Sequence, residues 1–236
     1  MSLDSGCDAR MRYARIAGFV YLLLIVLFMG GQFLIGYATG SGTFVERTAN
    51  ISGELPLYRT ALTLQFLASV FTVLLAYSLY MVLKSVDEST ARLAMYFRLG
   101  EAFGGLTTFV TFAALTLRTD PKFTHALGAV QVQALVDLAD TADFASFNIG
   151  IVFFSFGSTL FYRLFLRSHY LPRALSAFGM FASALTFVVA MTGLVMPQWG
   201  NAVQIGWAPI FIAEIATGFW LMIRGARPVP AVATVA

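Results

Sequence analysis

The chain has 236 residues, 58% of them hydrophobic and 11% charged, with a formal net charge of +3. Soluble domains carry roughly 25% charged residues, and a water-soluble globule of this size could not hide so much apolar surface, so the composition excludes a soluble domain and asks for lipid. The basic residues sit at segment ends rather than in one patch, which excludes nucleic acid as a partner.

A spanning helix needs about 20 mostly apolar residues, and six segments qualify. The first covers residues 16–37, after Arg10, Arg12 and Arg15, and reads as a retained helix rather than a removed signal peptide. Residues 38–60 follow, with Gly and Ser at the start and Pro56 inside, and suit a short interfacial turn. The second span covers residues 61–83 and ends at Lys84. The third runs over 93–117, between Arg92 and Arg118. A link through Asp120 and Pro121 leads to Val130–Leu138, whose spacing predicts a separate amphipathic helix lying at the surface. The fourth span covers 144–166, with Asp143 placed to cap it. The fifth covers 174–196, closed by Pro197, and the sixth covers 203–223, stopped by Arg224 and Gly225. The fold class is therefore all-α, a polytopic transmembrane bundle of about six helices over residues 15–225, flanked by tails at 1–14 and 226–236.

Orientation follows from the basic residues. With the N-terminus inside, the inner segments hold Arg10, Arg12, Arg15, Lys84, Arg92, Arg163, Arg167, Arg173, Arg224 and Arg227, ten in all. The outer segments hold four: Arg47, Arg59, Arg118 and Lys122. This asymmetry predicts an N-in, C-in protein with both tails in the cytoplasm.

A charged group within a span costs several kcal/mol unless paired or hydrated, so each is a functional candidate. Glu214 lies ten residues before Arg224, about 15 Å along the axis and near the bilayer midplane. No other charge lies between Arg173 and Arg224, so Glu214 reads as an isolated carboxyl held neutral by desolvation. It suits either acid chemistry or a hydrogen bond that glues two helices. Arg98 and Glu101 form the second candidate. Their i, i+3 spacing puts them on one side of the third span, where pairing would keep Glu101 ionised while Arg98 sends its guanidinium back to the inner interface. A self-neutralising pair without further function fits the same residues. Gly100, Gly104 and Gly105 beside them permit close helix approach.

Gln32, Gln65, Asn148 and Asn201 are polar positions suited to interhelical hydrogen bonds; Gln65 and Asn148, with Arg98, are candidate substrate-binding residues. Tyr58, Tyr162, Tyr170, Trp199 and Trp207 fall near span ends and read as an aromatic belt. The single Cys7 excludes an internal disulfide and a Cys-based metal cluster. His125 and His169 fall on opposite sides, and no zinc spacing, phosphate loop or dinucleotide fingerprint occurs, so neither a metal nor a cofactor is expected. The stretch GTFVERT matches no specific motif.

RIAGFVYLLLIV in the first span, FRLGEAF in the third, LFLRSHYLPRALSAFG between the fourth and fifth, and EIATGFWLMIRG in the sixth resemble a bacterial integral-membrane family, domain of unknown function 4386, over about residues 14–225. The resemblance implies a helical bundle in the bacterial inner (cytoplasmic) membrane and marks Arg98, Glu101, Ser168, Pro172, Arg173 and Glu214 as motif positions without assigning chemistry. A looser likeness, of architecture only, is to small integral-membrane terpene cyclases.

Three functions fit these residues. An intramembrane enzyme acting on a lipophilic, isoprenoid-like small molecule would use Glu214 as acid and Glu101 as base or cation stabiliser, with Phe-rich walls. A small proton-coupled transporter would use the same carboxyls as a relay. A non-catalytic subunit or sensor would bind lipid, a partner helix or a second copy through the Gly100, Gly104 and Gly105 patch.

Overall fold

A computed structural model describes residues 2–199 and 202–227, with side-chain surroundings from Asp8 onward except at Leu106 and Gln204. Asn201, the side chain of Cys7 and the tail from 228 on lie outside the described residues. The elements in chain order are α1 (Ser2–Thr39), α2 (Phe44–Gly53), α3 (Leu55–Leu83), α4 (Glu88–Gly104), α5 (Thr108–Thr119), α6 (Pro121–Leu127), α7 (Ala129–Ser168), α8 (Arg173–Val195) and α9 (Ala208–Ile223). Among the described residues there is no strand. Six stretches are long and apolar enough to cross a membrane: Asp8–Thr39, Leu55–Leu83, Glu88–Thr119, Ala129–Ser168, Arg173–Val195 and Ile205–Arg224.

Consecutive spans are neighbours. α3 packs on α1, α4 on α3, α7 on α4, α8 on α7 and α9 on α8, and α9 returns to α1, so the six spans close into a ring. The ring brings the start of α1, the end of α3, the α7–α8 turn and the end of α9 to one end. That basic end carries the ten residues from Arg10 to Arg227 named above, and Arg47, Arg59, Arg118 and Lys122 lie at the opposite end. The main core fills the basic half, with Leu79, Val82, Phe161, Phe165, Leu171 and Leu221 all buried. A smaller cluster of Ile51, Leu62 and Leu115 sits at the opposite end.

Two expectations are corrected. Val130–Leu138 is not a separate surface helix but the first part of α7, which runs unbroken for 40 residues. No Gly or Pro occurs between Gly128 and Gly150, so nothing interrupts the backbone where polarity rises. Asp143 consequently lies inside the helix rather than at its cap, and accepts a hydrogen bond from the Thr111 hydroxyl at 3.1 Å. Conversely, the third span is interrupted: a 3-10 turn at Gly105–Thr107 separates α4 from α5. The 38–60 link contains α2, opened by a reciprocal cap in which Thr43 and Glu46 each satisfy the other's backbone N–H.

The stretch LFLRSHYLPRAL is a tie between four helices. His169 ends α7 in the left-handed region (φ 57°), and Pro172 starts α8. Between them, the Tyr170 carbonyl accepts from Trp220 Nε1 of α9 at 3.0 Å, and the Tyr170 hydroxyl accepts from Arg10 of α1 at 2.9 Å. At the same end α1 and α9 touch backbone to backbone: a Cβ on Gly18 would collide with the Met222 and Gly218 main chains.

Candidate functional site

Arg98 projects from α4 into the ring, above the packed basic half. The Arg98 side chain is 3% exposed. Its Nη1 lies 3.1 Å from Glu101 Oε2 on the same helix and 4.0 Å from Glu214 Oε1 on α9. Its guanidinium carbon lies 4.6 Å from the centroid of the Phe154 ring on α7. Gly157, also on α7, makes the room: a Cβ there would stand 3.0 Å from both Arg98 Cγ and the Ala94 carbonyl oxygen. Tyr21 of α1 and Tyr162 of α7 stand within electrostatic range of Arg98 and Glu214. The Tyr162 hydroxyl shares a 3.1 Å hydrogen bond with Thr217 of α9. Four helices thus converge on one charged centre.

This arrangement alters two sequence expectations. The predicted Arg98–Glu101 pair is present, but the guanidinium turns inward instead of reaching the interface, because two carboxyls and an aromatic face offset its desolvation. Glu214 is not isolated; it shares Nη1 with Glu101. Neither approach is aligned as a hydrogen bond, so Arg98 Nε and Nη1, Glu101 Oε2 and Glu214 Oε1 have no hydrogen-bond partner among the described residues. The carboxyl side chains retain 20% and 17% of their surface, against 3% for Arg98. They are therefore the reachable members. One guanidinium balances one carboxylate, so the three residues are electrically neutral with a single proton on the carboxyl pair.

The other candidates lie elsewhere. Asn148 is buried, gives its side-chain N–H to the Phe144 carbonyl at 2.8 Å and packs on Gly193 of α8. Gln65 packs on Gly31 of α1, ten residues or about 15 Å along that helix from Tyr21. Neither joins Arg98. The glycine patch is consumed inside the bundle: Gly100 faces the Phe153 ring, Gly104 faces Gly150, and Gly105 faces Ser69. Tyr162 is buried at the centre and not in a belt, its ring accommodated by Gly179 of α8. No group of three His, Cys, Asp or Glu among the described residues is placed to hold a metal ion.

Fold and site define a polytopic α-helical membrane protein with a charged centre inside its bundle. The chain belongs to the family described as Domain of unknown function (DUF4386), whose model matches residues 16–225. No curated protein and no solved structure matches the chain.

Proposed function

We propose that the protein is an intramembrane enzyme that acts on a lipophilic, isoprenoid-like substrate by carboxyl acid/base chemistry. The observation that carries this reading is the pair of carboxyls on opposed helices, both within 4.0 Å of one buried guanidinium nitrogen. Glu101, closer to Arg98, is the carboxylate. Glu214, farther from it, carries the proton. Glu214 donates that proton to an alkene or epoxide, the carbocation rearranges, and Glu101 takes a proton from carbon to form the product alkene. The substrate gains and loses one proton, so no co-reactant is required, and passing the proton from Glu101 to Glu214 resets the site. Aromatic faces such as Phe154 tolerate a cation without trapping it covalently.

The test is purified protein in lipid nanodiscs, offered isoprenoid alkenes and epoxides, with products identified by mass spectrometry. Glu214→Gln and Glu101→Gln are each expected to lower product formation by about 100-fold or more. Unchanged product in both variants, or no turnover of any substrate, overturns the reading. A specific observation favours a second reading, proton-coupled transport: the break at Gly105–Thr107 falls one turn beyond Glu101, and interrupted spans beside a charged site are a transporter feature. Proton-driven uptake into proteoliposomes, lost in Glu214→Gln, would select it. We place the basic end in the cytoplasm of a bacterial inner membrane, N-in and C-in, which reporter fusions at both ends and within α2 would check.

A further inference from the structure

Three aromatic rings from three helices meet on the side of the charged centre that faces away from the basic end. Phe28 of α1 stacks on Phe147 of α7, with centroids 6.0 Å apart and planes within 10°. Phe147 in turn meets Trp207 at the start of α9 at 5.7 Å. Each ring stands seven residues from a member of the centre on the same helix: Phe28 from Tyr21, Phe147 from Phe154, and Trp207 from Glu214. Seven residues are two turns, so each pair shares a helix face about 10 Å apart. All three displacements point the same way, since α1 runs away from the basic end while α7 and α9 run towards it. The rings therefore form a layer lying over the charged layer.

What lies around this layer marks it as a passage. α1 and α7 share no extensive backbone packing, so the Phe28–Phe147 stack bridges an otherwise loosely joined pair of spans. Phe147 keeps 39% of its surface accessible although it is flanked on two sides. On the basic side the core is closed, with Leu79, Phe161, Phe165 and Leu221 buried. We propose that Phe28, Phe147 and Trp207 are the gate and size filter of the carboxyl site, admitting a slim apolar chain between α1 and α7 and excluding water. Separating one stacked pair costs about 1 kcal/mol beyond the apolar contact that an entering hydrocarbon restores, whereas a charged or hydrated molecule meets an apolar wall. This assignment rests on the carboxyl pair being the working site.

The experiment is chemical and needs no substrate. The intact protein in nanodiscs is treated with the membrane-soluble reagent dicyclohexylcarbodiimide or with a water-soluble, cationic carbodiimide, and adduct formation on Glu214 and Glu101 is timed by mass spectrometry. The apolar reagent is expected to label wild-type protein slowly and the cationic one not to label it. Phe147→Ala and Phe28→Ala should each raise the apolar rate about fivefold or more, and Phe181→Ala, at an exposed position of α8, should leave it unchanged. Equal rates in wild type, Phe147→Ala and Phe28→Ala overturn the gate, as does an equal rise in Phe181→Ala, which would mark general loosening. If the gate variants label faster while no isoprenoid is turned over, the gate stands and the enzymatic reading falls.

Discussion

Arg98→Met removes the guanidinium that faces both Glu101 and Glu214 while keeping most of the stem that packs beside Gly157. Breaking a buried ion pair by deleting one partner costs about 3–5 kcal/mol when the other must stay charged. A desolvated cation–π contact such as that with Phe154 adds up to about 2 kcal/mol, but the same charge serves both interactions, so the two figures do not sum. The carboxyl side chains keep 20% and 17% of their surface and can escape part of the penalty by binding protons. The expected loss is thus near the lower bound, about 3 kcal/mol, read as a shift in reversible unfolding in mixed micelles. A companion variant separates charge from packing. Adding Glu101→Gln and Glu214→Gln to Arg98→Met removes every ionised group from the centre, and should recover about half the loss or more. A loss below about 1 kcal/mol in the single variant, or a triple variant no more stable than the single, would refute the claim that the three residues form one electrostatic unit.

Two further outcomes follow from the packing and the caps. Gly157→Ala places a Cβ 3.0 Å from the Ala94 carbonyl oxygen and from Arg98 Cγ, so α4 must move off α7; the expected cost is about 1–3 kcal/mol, and a thermal midpoint equal to wild type would contradict the close contact. Asp87 caps α4, accepting from the Thr90 N–H at 3.0 Å and from Arg167 at 3.2 Å, and these bonds, the Thr90 N–H foremost, hold its carboxyl below the usual range. A lowered folded-state value means its contribution is complete above the unfolded value of about 3.9 and disappears as pH falls through the folded one. Asp87→Asn should therefore flatten the acid limb of the stability profile below about pH 4, and parallel limbs for variant and wild type would count against it.

How far each feature could be read in advance depended on whether its cause was local. The fifth span, expected at 174–196, is observed at Arg173–Val195, because a long apolar run bounded by Pro172 and Pro197 has one physical outcome in lipid. The length of α7 was misread since rising polarity was taken as a helix boundary, yet the backbone stops only where a breaker or cap stands, and the first upstream is Gly128. The Thr43-x-x-Glu46 pattern was present in a stretch that matched no motif, and it starts α2. Arg98 and Glu101 were legible as an i, i+3 pair. Glu214 beside them was not, because no local rule says which spans face each other across a ring. Tyr162 sits five residues before Arg167 and so read as interfacial; the residue that buries it, Gly179, is on another helix.

The same geometry bears on how the spans are held. α4 and α9 stand on opposite sides of the ring and share no extensive backbone contact, so Arg98 reaching Glu214 at 4.0 Å is a bridge between the third and sixth spans made by charge rather than by packing. With one proton on the carboxyl pair the bridge is neutral. A second proton removes the attraction that draws the guanidinium to its partners, and loss of the first sets two carboxylates against each other in a medium that screens them poorly. Each proton that enters or leaves the centre therefore changes the force between α4 and α9. The α9 side of that bridge leads directly to Trp207, two turns away, and the α4 side leads to the interruption at Gly105–Thr107. A bundle built this way links the protonation of its centre to the spacing of the two spans that frame it, whether the proton is used in catalysis or in transport.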